Sequence, residues 1–319
     1  RKSTERWPRL QVEIEGLEPC RLSKRSRRAA EHCMLGQRIR TAVVLLALFL
    51  PALFASTPWP FWGFTGLMML AAGWEWGRLS GLQGLRAGMM GLLTLTLSAL
   101  LFRAGASSSA KEFDGLWMAV SAAWGVLGAM ALARGPDSWV SLVSWARQIL
   151  GVIILSLAWT AMLVAREHGL NFLLSIFCLV WVADSAAYLG GRLLGRHKLA
   201  VTISPGKTWE GAFSGALAVS GLALAWTAYM DGAPWADGPS VFGVLQKNVG
   251  PWGMCACVWV LTALAVVGDL FESLLKRSQG VKDSSGLLPG HGGVLDRIDA
   301  LIPVFPAALA LCALTKGAA

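Results

Sequence analysis

The chain has 319 residues, of which 55% are hydrophobic and only 15% are charged, and its mean hydropathy is +0.55. A soluble domain carries about 25% charged residues, so this composition excludes a soluble domain and indicates a protein that crosses the membrane several times. The formal net charge is +9, but residues 1–40 hold 11 Lys and Arg against 5 Asp and Glu, which is +6 of it. The small remainder gives no support to nucleic-acid binding.

The first 33 residues differ from the rest of the chain. They are polar and show no clear period, whereas Met34 opens a short basic lead followed by an apolar run. We therefore interpret residues 1–33 as a disordered basic tail or as sequence upstream of a mis-assigned start. Residues 34–319 are predicted to form a single membrane-embedded domain.

Apolar runs recur along this domain at a length that fits a bilayer crossing, which takes about 17–25 residues. They lie near 39–57, 60–77, 87–104, 114–133, 147–166, 169–190, 211–230, 251–272 and 300–316. The predicted fold class is all-α, a polytopic integral membrane bundle of about nine transmembrane helices. The second and last runs are the weakest, the last because it is short and contains Pro303 and Pro306.

The distribution of Lys and Arg predicts the orientation, because these residues are enriched in cytoplasmic loops. With the N-terminus in the cytoplasm, the inside loops hold twelve Lys or Arg and the outside segments hold five. Two polar clusters, at 190–210 and 273–299, then face the cytoplasm, where nucleotides are found. We therefore expect an active site at the cytoplasmic face.

Titratable residues are concentrated at 269–299. Charge near a bilayer is costly, at roughly 2.5–3.5 kcal/mol per Asp, Lys or Arg at mid-membrane, so a chain that keeps so many here is expected to use them. The residues are Asp269, Glu272, Lys276, Arg277, Lys282, Asp283, His291, Asp296, Arg297 and Asp299. Five glycines and Pro289 lie between them, a mixture that suits a metal-assisted phosphate site better than a packed core.

The end of the eighth run places polar residues on one helical face, at positions i, i+4, i+7 and i+8. They are Asp269, Ser273, Lys276 and Arg277. Asp269 follows an apolar stretch, where a bound cation would offset the burial of its carboxylate. A salt bridge to a Lys or Arg from another helix is the alternative.

The loop that follows combines glycines with cations. Glycines let backbone N–H groups approach an anion closely, and Lys276, Arg277 and Lys282 supply charge-assisted donors. We predict a phosphate-binding loop that needs no nucleotide-binding fold. For the glycines alone, a flexible loop is the alternative.

Asp296 and Asp299 are three residues apart, so on a helical turn they point the same way. With Asp269 they are placed to hold one or two Mg²⁺ ions through the phosphates of a nucleotide, because Mg²⁺ takes only one or two carboxylates plus substrate oxygens. Helix capping by Asp296 and pairing with Arg297 is the alternative. His291 is a candidate acid–base group or, equally, a loop hydrogen-bond donor.

A second polar cluster spans residues 184–211. Asp184 lies near the end of the sixth run and is followed by cations that either anchor the helix at the membrane surface or contact an anionic lipid head group. These cations are Arg192, Arg196 and Lys198. Glu210 is placed to pair with Lys207 or to help bind a cation.

Both clusters resemble signatures of one enzyme family, the phosphatidate cytidylyltransferases or CDP-diacylglycerol synthases. The longer signature is matched, at every spacing, by Ser273, Lys276-Arg277, Lys282-Asp283, His291-Gly292-Gly293 and Asp296-Arg297-Ile298-Asp299. The other cluster is similar to the family's D-x-x-A-Y segment at 184–188 and to its S-P-x-K-T-x-E-G segment at 204–211. Gly206 departs from the second segment, where Lys is commoner.

This resemblance implies a reaction and a set of roles. Such enzymes condense CTP with phosphatidate, giving CDP-diacylglycerol for phospholipid biosynthesis and releasing pyrophosphate. The implied catalytic residues are Asp269, Asp296, Lys276, Arg277, Lys282, Asp283 and His291. The implied substrate-binding residues are Ser204, Lys207, Thr208, Ser273, Gly292, Gly293 and Arg297. The implied metal ligands are Asp269 and Asp296 first, then Asp299 and Asp184, for Mg²⁺ and, as a further candidate, a monovalent cation.

The expected partners are CTP and phosphatidate, in the inner membrane of a bacterium. A homodimer is a candidate assembly. Two other functions remain open at this point. One is a CTP-dependent enzyme that acts on an isoprenoid or polyprenol substrate. The other is a transporter or lipid-binding membrane protein, which would be expected to carry charge toward mid-membrane.

Overall fold

The computed structural model describes residues 24–107 and 110–316, with side chains described at 36–105 and 113–316. About 79% of the described residues are helical, which confirms the all-α class. The helices are α1 Lys24–Leu53, α2 Trp59–Leu79, α3 Gly84–Ser107, α4 Ala110–Ala123, α5 Ala129–Arg134, α6 Pro136–Ser141, α7 Ser144–Glu167, α8 Leu170–Leu194, α9 Trp209–Tyr229, α10 Val241–Ser278, α11 Leu295–Ile298 and α12 Leu301–Thr315. A π-helical turn at Trp124–Gly128 joins α4 to α5, and the strands are β1 Lys198–Ala200 and β2 Ser204–Thr208.

Eight stretches within the described residues are long and apolar enough to cross a membrane. They match eight of the nine predicted runs and confirm the polytopic membrane fold. The second predicted run corresponds to α2, which has 21 residues but is rich in Trp and Gly and therefore less apolar. α1 begins at Lys24, upstream of Met34, and the rest of the predicted tail, residues 1–23, lies outside the described residues.

The longest helix, α10, is bent near its start. Its 38 residues would extend about 57 Å at 1.5 Å per residue, nearly twice the ~30 Å hydrocarbon thickness. Gly250 has a φ of 72° and is followed by Pro251, so the regular helix is interrupted there. The segment after the bend coincides with the predicted run at 251–272 and carries the polar residues at its far end.

Helices α8 and α9 pack closely because glycines face the neighbouring backbone. A Cβ at Gly211 would lie 2.6 Å from the Ala187 carbonyl oxygen, and one at Gly215 would lie 2.9 Å from the Ala183 carbonyl oxygen. Either contact is too short for a real side chain. The end of α8 is therefore held against the start of α9.

A short antiparallel hairpin, which the sequence did not predict, connects these two helices. Lys198 of β1 lies opposite Thr208 of β2, and Ala200 lies opposite Ser204. Thr208 also caps α9, since its hydroxyl accepts a hydrogen bond from the Gly211 N–H at 3.2 Å. The hairpin thereby carries residues 204–208 to the end of the bundle where α10 ends and α11 begins.

Candidate functional site

A cavity of about 490 Å³ lies where α8, the hairpin, α9, α10 and α11 meet. Its wall combines four carboxylates, from Asp184, Asp269, Asp296 and Asp299, with three cations, from Arg192, Lys207 and Arg297. Glycines at positions 191, 206 and 211 and the side chains of Ser204 and Thr208 also line it. Cations beside carboxylates can hold a phosphate and a metal ion together, so the wall fits a metal-bound polyphosphate.

An ion pair joins the hairpin to α10 inside this cavity. The Lys207 ammonium lies 2.5 Å from Asp269 Oδ2, and the two side chains are 25% and 30% exposed. The salt bridge that was the alternative to a metal ligand at Asp269 therefore exists in the structure. Both charged groups still face the open space of the cavity. Lys207 can therefore also bind an anion, and Asp269 can also bind a cation. Ser273 lies at the limit of hydrogen-bond distance, 3.5 Å from Asp269 Oδ1.

Lys276 lies between two buried carboxylates. Its ammonium is 2.6 Å from Glu272 Oε2 and 2.6 Å from Asp296 Oδ1. The exposed fractions are 12% for Lys276, 3% for Glu272 and 6% for Asp296. Removing one partner of such a buried group leaves uncompensated charge and is strongly destabilising. Lys276 therefore ties α10 to α11 and does not line the cavity.

The second carboxylate oxygen of Asp296 organises the loop before α11. Oδ2 accepts hydrogen bonds from the Gly293 N–H at 2.7 Å, the Ser284 N–H at 3.0 Å and the Ser284 hydroxyl at 2.9 Å. Asp296 thus pairs with Lys276, and the alternative of pairing with Arg297 is not found. Part of the glycine loop predicted to cradle a phosphate is closed around this carboxylate instead.

Glu75 of α2 holds the same loop, although the sequence analysis did not single it out. Its side chain is fully buried. It accepts hydrogen bonds from the Ser285 hydroxyl at 2.6 Å and from the N–H groups of Val294 at 2.9 Å and Leu295 at 2.7 Å. The Ser284 hydroxyl also lies 2.9 Å from Glu75 and shares its one proton between Glu75 and Asp296. An acidic residue within a predicted span is costly unless it has a partner or a function. The position of Glu75 inside the run 60–77 could therefore have identified it as a candidate from the sequence.

Several predicted residues lie outside the cavity wall. Arg277 donates to the carbonyl oxygens of Ile203 at 3.3 Å and Val281 at 3.2 Å, which braces the hairpin against the end of α10. Lys282 and Asp283 are exposed on the loop. The other predicted residues that do not line the cavity are Ser273, Lys276, His291, Gly292 and Gly293.

His291 contributes through its backbone. Its carbonyl oxygen accepts hydrogen bonds from Arg297 Nη2 at 2.8 Å and Nε at 3.1 Å, which orients Arg297 at the cavity. Its Nδ1 is buried and, among the described residues, has no hydrogen-bond partner. The structure therefore places His291 beside the site without giving it a contact that would orient a proton.

Glu210 has a different partner from the predicted one. Its Oε1 lies 2.6 Å from His197 Nδ1, and both carboxylate oxygens accept from the His197 N–H, at 3.1 and 3.2 Å. Of the two roles considered for Glu210, pairing with Lys207 is therefore not found. Lys207 remains available to the cavity because His197 satisfies Glu210.

The carboxylates of the cavity fit a magnesium ion that is bound together with a nucleotide. Asp184, Asp269 and Asp299 line the same space and interact electrostatically, with Lys207 as the nearby cation. Within the described ranges, no group of three or more His, Cys, Asp or Glu residues is arranged to hold a metal by itself. Mg²⁺ usually takes one or two carboxylates and completes its shell with phosphate oxygens and water, which this set allows.

Known proteins resemble this chain, two of them over most of its length. A model of the cytidylyltransferase family matches residues 36–315. A phosphatidate cytidylyltransferase of Pseudomonas aeruginosa is 36% identical over 286 residues, which cover 86% of this chain and 97% of that protein. One of Haemophilus influenzae is 33% identical over 292 residues, covering 86% and 96%. One of Staphylococcus epidermidis is 41% identical over 141 residues, covering 44% and 48%.

Proposed function

The chain belongs to the cytidylyltransferase family, and we propose that it transfers the CMP moiety of CTP to phosphatidate, giving CDP-diacylglycerol and pyrophosphate. The observation that carries this proposal is the cavity of mixed charge at one end of a membrane bundle. In this proposal the lipid enters the cavity from the bilayer and the nucleotide enters it from water.

The reaction needs positioning more than covalent help from the protein. A phosphate oxygen of phosphatidate attacks the α-phosphorus of CTP, a new P–O bond forms, and the bond from the α-phosphorus to the bridging oxygen breaks. Pyrophosphate leaves with the electron pair of that bond. A phosphate monoester is mostly ionised at pH 7, so the attacking oxygen needs no general base. Alignment and charge neutralisation then supply the rate enhancement.

We assign the cations of the cavity to the phosphates. Lys207, Arg192 and Arg297 present N–H donors to the same space, and charge-assisted hydrogen bonds to phosphate are about twice as strong as neutral ones. Binding of the triphosphate would draw Lys207 from Asp269 and leave that carboxylate facing the cavity. Lys276 does not contact the phosphates in this proposal. It holds Asp296 and the loop in place.

We propose that Asp269, with Asp184 and Asp299, holds Mg²⁺ through the nucleotide. When bound, the ion would neutralise phosphate charge and orient the leaving pyrophosphate. Asp296 also lines the cavity, but both of its oxygens already accept protein donors, so it would have to exchange partners to serve as a ligand. Its first role in this proposal is to hold the site together.

We further propose that this end of the bundle faces the cytoplasm, in the inner membrane of a bacterium. The support is the excess of Lys and Arg in the loops on this side and the cytoplasmic location of CTP. We also propose a homodimer, which the mass of the detergent-solubilised complex would test.

The test of the reaction is pyrophosphate release by purified protein in detergent, given CTP, phosphatidate and Mg²⁺, with each omitted in turn. Release that needs all three, together with a CDP-lipid product, supports the proposal. A polyprenyl phosphate is added as competitor and as sole acceptor. Turnover of that acceptor in place of phosphatidate would contradict the assignment of the lipid, and release without any lipid would contradict transfer.

A further inference from the structure

An apolar groove of about 680 Å³ adjoins the polar cavity. It is formed by α5, the hairpin, α9 and α10; its lining includes no charged side chain and only two hydroxyl groups, those of Thr202 and Thr262. The groove and the cavity share Leu199, Ala212 and Val266 as lining residues. A molecule with an anionic end and an apolar tail can therefore occupy both spaces at once.

The length of the groove matches one leaflet of a bilayer. Its lining residues on α10 recur at helical spacing from Trp259 to Leu270, which is about 16 Å along the helix at 1.5 Å per residue. Half of the ~30 Å hydrocarbon core is about 15 Å. The groove is thus as deep as a lipid tail that starts at the membrane surface.

Three aromatic side chains form a row along the groove and are partly exposed. Trp209, Phe213 and Trp259 are 51%, 53% and 41% exposed. The Phe213 ring centroid lies 6.4 Å from that of Trp209 and 6.3 Å from that of Trp259. The Trp259 indole N–H donates to the Ser220 hydroxyl at 3.0 Å, which fixes the ring at the far end of the groove.

We propose that this groove binds one acyl chain of phosphatidate while the lipid phosphate lies in the polar cavity. The inference rests on the proposed function and names the subsite that aligns its lipid. A tail that leaves bilayer hydrocarbon for an apolar groove gains little free energy. The groove therefore serves to position the lipid and adds little to its affinity. It fixes the depth of the phosphate relative to Lys207 and Asp269, and a displacement of about 1 Å can cost about 100-fold in rate.

The test narrows the groove from two of the helices that line it. Ala263 on α10 and Ala133 on α5 both line it and are both exposed, so Ala263→Trp and Ala133→Trp narrow it without disturbing the core. For each variant we expect kcat/KM with dioleoyl phosphatidate to fall by about 10- to 100-fold. Turnover of dihexanoyl phosphatidate, whose chains are too short to fill the groove, and the KM for CTP should stay within about twofold of wild type.

Ala256→Trp is the matched control. Ala256 is exposed on the same face of α10, seven residues before Ala263 and beyond Trp259, and does not line the groove. Two blocking variants that behave like this control with the long-chain lipid would overturn the inference. An equal loss with both lipids would also overturn it, since the groove would then be structural or an interface between copies. Absence of CDP-lipid from the wild type with either acceptor would instead count against the proposed function.

Discussion

Asp296 takes part in more hydrogen bonds and ion pairs than any other predicted site residue. It pairs with Lys276 through one oxygen and accepts hydrogen bonds from Ser284 and Gly293 through the other. One carboxylate therefore joins the end of α10, the loop and the start of α11. The neighbouring carboxylate of Asp269 has fewer protein partners and faces the cavity, so the two residues divide the tasks of support and ligand binding.

Asp296→Asn should abolish turnover while the protein still inserts into the membrane. The amide removes the charge that balances Lys276 and directs N–H donors at groups that are themselves donors. We expect CDP-lipid formation to fall by at least about 100-fold, because the loop and α11 lose the group that holds them and a displacement of about 1 Å at a site can cost about 100-fold in rate. The same change at Asp137, which is exposed, is the control and should keep turnover within about twofold. Turnover near the wild-type rate in Asp296→Asn would contradict this role of the carboxylate.

Glu75→Gln should loosen the loop from α2. The amide has one acceptor oxygen in place of two, so some of the four donors now bound would lose their partner. Each buried polar group left unsatisfied costs about 1–3 kcal/mol, and we expect a clear fall in the temperature of thermal inactivation together with a lower kcat. Ser285→Ala removes only one donor and should cost about 1 kcal/mol. Equal stability of Glu75→Gln and wild type would show that this network does not hold the loop.

Among the elements, the loop between α10 and α11 has glycines at positions where a side chain would not fit and at positions where it would. A Cβ at Gly293 would collide with the Ser284 hydroxyl and approach Glu75 Oε1 to 2.5 Å, whereas a Cβ at Gly286 in the same loop would meet nothing within 4 Å. The glycines of this loop therefore differ in purpose. Of these two glycines, only Gly293 leaves the room in which the carboxylates of Glu75 and Asp296 both bind donors of the loop.

Gly293→Ala should therefore reduce activity, and Gly286→Ala should not. The added methyl group must displace Ser284 or Glu75, and overpacking of a buried site costs about 1–3 kcal/mol. We expect CDP-lipid formation to fall by about tenfold or more in Gly293→Ala, since Asp296 is anchored by the same loop. A steady-state assay of both variants in one membrane preparation makes the comparison. Similar activities would refute the distinction between the two glycines.

The opposite end of the bundle is held by a separate polar network. Asp231 accepts hydrogen bonds from the Asn171 amide at 2.8 Å, the Ser240 N–H at 2.9 Å and the Ser240 hydroxyl at 3.0 Å. It thereby joins the start of α8 to the start of α10. The loop after α9 is therefore held in place by hydrogen bonds to α8 and to the start of α10.

Asp231→Ala should lower stability without changing the reaction. It leaves the fully buried Asn171 and Ser240 short of an acceptor, which we expect to cost about 2–4 kcal/mol in total. Thermal inactivation should therefore occur at a lower temperature, while the KM values for CTP and phosphatidate at a permissive temperature stay at their wild-type level. A changed KM would mean that this end of the bundle is coupled to the site.

For the molecule as a whole, the sequence predicted what depends on one-dimensional patterns. The length of apolar runs predicted the bundle, and helical spacing predicted that Asp269 and Lys276 lie on one side of α10. The hairpin was missed because β1 and β2 are short, and β2 contains Pro205 and Gly206, which disfavour strands. Glu75 was missed because its partners lie 209 to 220 positions further along the chain, where no local pattern reaches.

The most direct test of the central claim follows the phosphorus atoms of CTP. The purified protein is given phosphatidate, Mg²⁺ and CTP that carries a radioactive label on either the α- or the γ-phosphate, and the lipid extract and aqueous phase are counted. Transfer of CMP predicts that the α-label enters the lipid and that the γ-label stays in water as pyrophosphate. A γ-label in the lipid would mean that the protein is a kinase, and an unlabelled lipid in both experiments would contradict the account.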